Sequence, residues 1–316
     1  MKKTKFNIRY HLMKLKRGHK TSLFVISSVV AGTLLASGCV SVPDQTQIVN
    51  KVLDEDHSIS ISSCDIRQAQ LYSDKKRNSA HELDANNITL LNWNIYKGQK
   101  NNWAEDFRQL SDGQDLVIIQ EAQLSAEVKE TLKKQSIHWT LNTGFIVNDE
   151  ATGVLTGSRV KPVSSCGLRT TEPFLRLPKT ALVNKYELSG TNEKLLVANI
   201  HSINFTLGTE VYSEQINTLT AAISQHQGPV IVAGDFNSWS DDRKQIIEKM
   251  ITDLSLRAVT YKSKNRVTIF GNEIDHVFYR GLESIASEAR QVTSSDHNPI
   301  KVTFRVLPDE QKVALN

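Results

Sequence analysis

Val230-Ile231-Val232-Ala233-Gly234-Asp235-Phe236-Asn237 is the stretch on which the reading of this chain turns. Its apolar run reads as a buried strand that ends in two polar side chains. Alternate residues of a strand share a face, so Asp235 and Asn237 point one way while Phe236 points into a core. Gly234 allows close backbone approach where the strand leaves its sheet.

The same arrangement recurs on both sides. Leu90-Leu91-Asn92-Trp93-Asn94 ends at Asn94, and Val117-Ile118-Ile119-Gln120-Glu121 ends at Glu121. Val197-Ala198-Asn199-Ile200-His201-Ser202-Ile203-Asn204 delivers His201 and Asn204. Ile274-Asp275-His276-Val277 begins with Asp275, and Ser294-Ser295-Asp296-His297 precedes the last strand. A lone Asn or Asp at a strand end is usually a turn former, and Asn94 by itself reads that way. The Asp235/Asn237 and Asp296/His297 pairs, taken with the repeated placement, point to a site on one edge of a sheet.

Between these segments the periodicity switches. Strands are expected over 88–93, 115–120, 139–147, 153–159, 180–188, 194–200, 229–234, 274–279 and 300–304. Helices are expected over 103–110, 124–134, 210–226 and 241–254, with Ser125 and Ser240 as N-caps. Hairpin-like strands mixed with helical connections imply an α/β fold of two mixed sheets packed face to face with helices outside.

Carboxylates and amide oxygens are donors for a hard ion such as Mg²⁺, with Mn²⁺ as a substitute. Ligands spread over several strands argue against a compact calcium loop, and no paired Cys/His motif suggests structural zinc. Phosphoester hydrolysis needs neutralised phosphoryl oxygens, an in-line water and help for the leaving oxygen. An imidazole held by an Asp supplies a group that titrates near neutrality.

In their order and spacing these segments resemble the endonuclease/exonuclease/phosphatase superfamily, also called deoxyribonuclease I-like, across about residues 88–305. Residues 172–182 and 199–208 look like a small bacterial subgroup of it. The resemblance implies a four-layer α/β sandwich and a metal-dependent phosphoric ester hydrolase. Glu121 would hold the metal, Asn94 would support it and Asp296 would complete its environment. Asp235 would orient or activate water, and Asn237 would stabilise charge on the phosphoryl group. His201 and Asn204 would contact the phosphate, and His297 would act on water or phosphate with Asp275 holding its ring. The division of acid and base between Asp235 and His297 stays open. Lys97, Arg176 and Lys179 could reach a phosphate, yet read more simply as exposed cations. His276 reads as structural, His138 and His226 as boundary residues, and Trp93 and Trp239 as core packing.

The ends of the chain read differently. Residues 1–38 carry eight Lys or Arg and no acid, then an apolar run over 23–35 and Ala36-Ser37-Gly38-Cys39. That order is the grammar of an export signal, and a Cys after small residues resembles a lipobox that would acylate Cys39. Met13 would give a leader of more usual length. The competing reading is an uncleaved anchor, although spanning a bilayer takes about 20 apolar residues. Val40 after the Cys favours an outer-membrane lipoprotein facing the periplasm or the surface. Residues 39–86 read as a tether and lead-in, 87–308 as the catalytic domain and 309–316 as a tail. Without the leader, 30 basic and 34 acidic residues remain, so the net charge of +4 becomes −4. The body thus lacks the global basic footprint common among nucleic-acid binders.

Cys64 and Cys166 remain in an oxidising compartment, as a disulfide or as two thiols. A nuclease comes first as the expected activity and a phospholipid headgroup phosphodiesterase or phosphatase second. A non-enzymatic binding or toxin-like protein is the third reading. Fold alone does not choose among these.

Overall fold

The computed structural model describes residues 40–52, 57–64 and 82–308. One sheet runs in the order β17 (Leu282–Ala289), β18 (Ile300–Val306), β5 (Ile88–Asn94), β6 (Leu116–Gln123), β8 (Glu150–Ser158), β7 (His138–Val147), β2 (Gln47–Lys51) and β3 (Ser58–Ile61). A short β1 (Val40–Ser41) pairs with β7. The second sheet runs β13 (Arg257–Ala258), β16 (Asp275–Arg280), β12 (Val230–Asp235), β11 (Lys194–His201), β10 (Pro178–Leu188) and β4 (Glu82–Leu83), with β9 (Ser164–Thr171) paired to β10. A hairpin of β14 (Thr268–Ile269) and β15 (Asn272–Glu273) stands apart.

Strand alternation builds the layers. Leu90, Ile118, Val197 and Ile231 meet between the two sheets. Their neighbours Leu91, Val117 and Ile119 pack outward against α1 (Trp103–Ser111) and α2 (Ala126–Lys134). On the other sheet Leu196, Val230 and Val232 pack against α3 (Glu210–Ser224) and α4 (Asp241–Asp253). The result is the expected four-layer sandwich. The expected N-caps are in place: Ser125 Oγ accepts from Val128 N at 3.2 Å and Ser240 Oγ from Arg243 N at 3.4 Å. Both satisfy amides that the first helical turn leaves open.

The lead-in is a correction. The fold does not begin near residue 87: β2 pairs with β7, and Ile48 is fully buried. The two consecutive residues Ile48 and Val49 carry too short a pattern to stand out in a polar stretch. β9 and β17 were also missed, because Ser164–Thr171 and Leu282–Ala289 are poor in large apolar residues. After β3 the chain crosses to the other sheet, where Ser63 bridges Gly167. There Cys64 and Cys166 are joined as a disulfide, their Cα atoms 4.9 Å apart.

This bond closes a loop of 102 residues. Loop-closure entropy puts its contribution at about 2–5 kcal/mol. Dithiothreitol, or Cys166→Ser, is therefore expected to lower the urea midpoint clearly in equilibrium unfolding. An unchanged midpoint would show that the bond constrains little.

The leader, Cys39 and the tail from 309 lie outside the described residues. Among the described residues no helix is long and apolar enough to cross a membrane.

Candidate active site

Pairing fixes which strand ends come together. β5 and β6 run parallel, as do β11 and β12, so Asn94, Glu121, His201 and Asp235 all leave their sheets on one edge. β16 runs antiparallel to β12 and brings Asp275 opposite Asp235. Just below, a buried amide network ties the sheets together. Gln120 Nε2 donates to Asn92 Oδ1 at 3.0 Å and to Asn199 Oδ1 at 2.8 Å, and Asn199 Nδ2 donates to Ile119 O at 3.0 Å. Buried amides of this kind are costly unless paired, so they fix the mutual position of the strands.

Asp235 is the hub. Its Oδ2 accepts from Asn94 Nδ2 at 3.1 Å and lies 3.4 Å from His201 Nε2 and 3.7 Å from His297 Nε2. Its Oδ1 accepts from the Asn237 amide at 3.0 Å. Gly234 makes this geometry possible, since a Cβ there would meet Ile200 O at 2.0 Å.

His297 Nδ1 lies 2.8 Å from Asp275 Oδ2. Trp93 Nε1 donates to the His297 carbonyl at 3.0 Å, so this tryptophan holds the loop as well as filling the core. Burial disfavours charge on the His297 ring, but Asp275 and then Asp235 outweigh it and push its pKa up to about 10. The ring is a cation at neutral pH. His201 is its opposite. Burial and Lys179 lower its pKa to about 4, despite Asp235 and Glu121. Lys179 Nζ stands 2.8 Å from His201 Nε2; a lysine ammonium only donates, so this nitrogen accepts and the ring is neutral.

Glu121 sits at a bulge in β6 with φ of 53°, a left-handed conformation for a non-glycine residue. Lys97 Nζ binds its Oε2 at 2.6 Å, and its Oε1 lies 3.9 Å from His201 Nε2. Burial would raise its pKa, yet Lys97, His201 and Lys179 together hold it well below the usual carboxylate range. The two lysines that read as ordinary surface cations are thus parts of the site. Spacing gave no sign of this, because Lys97 reaches the site from the turn after β5 and Lys179 from the first residues of β10.

Other expected residues stand further out. Asp296 is exposed on the rim; its Oδ1 accepts from Ser295 Oγ at 3.4 Å, and its charge also raises His297. It does not join Asp235, Asp275 and His297, whose ligand atoms lie within 4.8 Å of one another. Asn237 turns its Nδ2 to Ser202 O at 3.0 Å, so in this structure it orients Asp235 and the following loop. Asn204 Oδ1 accepts from Trp239 Nε1 at 3.0 Å. Its loop hangs on a residue without an expected role. Glu172, nearly fully buried, accepts the amides of Asn204 and Phe205, each at 2.8 Å. His276 is structural, lying 2.8 Å from Ser238 Oγ and stacked on Phe278.

The Endonuclease/Exonuclease/phosphatase family profile matches residues 91–297. The chain belongs to this family. A UPF0294 protein of Vibrio campbellii is 37% identical over 279 residues, spanning 87% of this chain and 94% of that protein. One from Vibrio vulnificus (strain YJ016) is 41% identical over 224 residues, spanning 71% and 78%. Among solved structures, the human Nocturnin catalytic domain with bound sulfate superimposes with a TM-score of 0.54 at 18% identity, over 72% of this chain and 96% of that one. A family protein from Leptotrichia buccalis gives 0.53 at 15%, over 69% and 99%. These structures share the fold. Family membership supports an activity of the phosphoesterase or nuclease type.

The family's usual divalent metal can be weighed against the side chains present. Glu121 and Asn94 offer oxygen, and Asp275 Oδ1 is a buried oxygen without a partner in the structure. The carboxylates of Glu121, Asp235 and Asp275 gather at one edge, where Lys97 and His297 already partner Glu121 and Asp275. A hard divalent ion fits this donor set.

Proposed function

We propose that the chain is a divalent-metal-dependent phosphodiesterase, exported and held at a membrane through Cys39. The observation that carries the reading is the convergence of Asn94, His201 and His297 on one carboxylate oxygen of Asp235, with Asp275 behind His297. Glu121, supported by Asn94, would hold Mg²⁺ or Mn²⁺, and Asp296 would complete the ion's environment. Such an ion supplies Lewis acidity to a phosphoryl oxygen.

The protein's own groups account for the remaining needs. Asp235 takes a proton from the attacking water as the new P–O bond forms and the bond to the leaving oxygen breaks. His297, kept charged by Asp275, stabilises negative charge on the phosphoryl group. The Lys179 ammonium, which stands 2.8 Å from His201 Nε2, gives the departing oxygen its proton. A non-enzymatic role fits poorly with so complete a set of positioned groups.

A screen of the full chain tests this. Bis(4-nitrophenyl) phosphate, plasmid DNA, RNA, phospholipid vesicles and a phosphomonoester are each incubated with Mg²⁺ or Mn²⁺. Hydrolysis of diesters is expected, with loss in EDTA and recovery when the ion is restored. Inertness towards all five substrates with either metal would overturn the reading.

A further inference from the structure

Strand directions place more than catalytic groups on this edge. β10 starts there, because Ala181 pairs with Ile200, so the preceding loop 172–177 lies beside the site. Loop 202–209 follows His201, and the β14–β15 hairpin leads into Asp275. β1 begins there: Val40 pairs with Val147, whose hairpin continues in β8 to Thr152 opposite Gln123, just beyond Glu121.

These loops carry the strongly exposed phenylalanines among the described residues, Phe174, Phe205 and Phe270. Phe270 is 79% exposed, at the tip of its hairpin, and Leu207 is 83% exposed. Leu175 is exposed beside Phe174. Scattered apolar side chains on a surface need no explanation, but a cluster of loop tips does. The loops are fastened to one another. Glu172 holds the amides of Asn204 and Phe205, Trp239 donates to Asn204, and the Trp239 ring lies 6.1 Å from that of Phe270. The tips are therefore a built rim rather than loose ends. Exposed cations accompany them: Arg176 in the first loop, and Lys262 and Lys264 ahead of the hairpin.

Apolar tips with basic neighbours match a bilayer, where Phe and Leu enter the acyl boundary and Lys and Arg meet anionic headgroups. A nucleic-acid backbone would instead be met by cations and polar donors. Position agrees with this. Cys39, one peptide bond from Val40, is the residue a lipid would modify, and Val40 leaves the fold at this edge.

We propose that the catalytic edge docks on a bilayer containing anionic phospholipid, with Phe174, Leu175, Phe205, Leu207 and Phe270 entering it, and that the site takes phospholipid headgroup phosphodiesters. The substrate half rests on the phosphodiesterase reading; the docking half does not.

The full chain carrying Phe270→Trp is compared with one carrying Ile285→Trp on β17, each bound to phosphatidylcholine/phosphatidylglycerol vesicles with or without brominated acyl chains. Both positions are exposed, so neither change disturbs the core. After the emission of the unsubstituted chain, which carries four tryptophans, is subtracted, insertion of the rim to a depth of about 5–10 Å should cost the signal added at 270 about half its intensity, and that added at 285 almost none. Equal quenching at both positions, or none at 270, overturns the docking. Duplex DNA that strips the protein from vesicles and itself shifts the emission at 270 overturns it in favour of a nucleic-acid surface. Hydrolysis of bis(4-nitrophenyl) phosphate and release of phosphorylated headgroup from the vesicles are measured on the same samples, and reporter hydrolysis without headgroup release overturns the substrate half. Quenching without hydrolysis upholds docking and sinks the phosphodiesterase reading; hydrolysis without quenching does the reverse.

Discussion

Asp235→Asn is expected to lower kcat on a soluble diester by about 10³-fold while the protein stays folded, within the range that loss of a positioned acid–base group produces. The substitution keeps size and leaves an oxygen to accept the Asn237 amide. It removes the charge that faces His201 and His297 at 3.4 and 3.7 Å, together with the proton acceptor. Asn94, which now donates to Oδ2 at 3.1 Å, keeps a partner only if the new amide presents its oxygen. KM should change little, because the water contact and not substrate binding is lost. Circular dichroism and a thermal melt would establish the fold. A kcat within a few-fold of the wild type, with metal present, would remove Asp235 from the chemistry.

The second large effect is on stability against pH. His201, His226 and His276 are each pushed down to about 4, first by burial, and then by Lys179, Lys185 and Arg266 respectively. Below the ordinary histidine value of 6.5 the unfolded chain takes up protons that the folded chain refuses. Stability therefore falls as pH drops from 6.5 towards 4, by about 1.4 kcal/mol per pH unit for each fully shifted group. His297 has the opposite sign. Its folded value of about 10 gives stability that is full below 6.5 and lost as pH rises through 10. Melting temperatures from pH 4 to 10 should peak near 6.5–7 and fall on both sides. His226→Gln, remote from the edge, should flatten the acid limb alone. A plateau from 4 to 6.5 in the unmodified chain would mean that these rings are not kept neutral in the fold.

Much of the architecture could be read from the sequence because buried strands and amphipathic helices carry their own periods. Val230–Asp235 and Leu116–Gln123 are nearly continuous apolar runs, and their polar ends announced the edge. What escaped was set by tertiary partners. β17 and β9 are half-exposed strands without an apolar period, and β2 is two buried residues in a polar stretch. In the site, Asp235, Asp275, His201 and His297 come together where the motifs placed them. Lys97 and Lys179 were undervalued because a single cation has no pattern, and Glu172 because a buried carboxylate looks like any other Glu. Asn204 Oδ1 and Asn237 Nδ2 meet Trp239 and Ser202, contacts that the phosphate expectation did not include. An amide's partner depends on loop conformation, which spacing does not encode.

The left-handed backbone at Glu121 and Asn237, with φ of 53° and 46°, has a consequence for how the chain would drift under selection. Such a conformation costs a residue like glutamate about 1–3 kcal/mol, and an asparagine, which tolerates it, less. A library screened only for abundance would enrich glycine at both positions, relieving the strain and raising yield. One screened for turnover would retain the acid and the amide at that expense. The frequencies recovered at these two sites would thus show which pressure a lineage had been under.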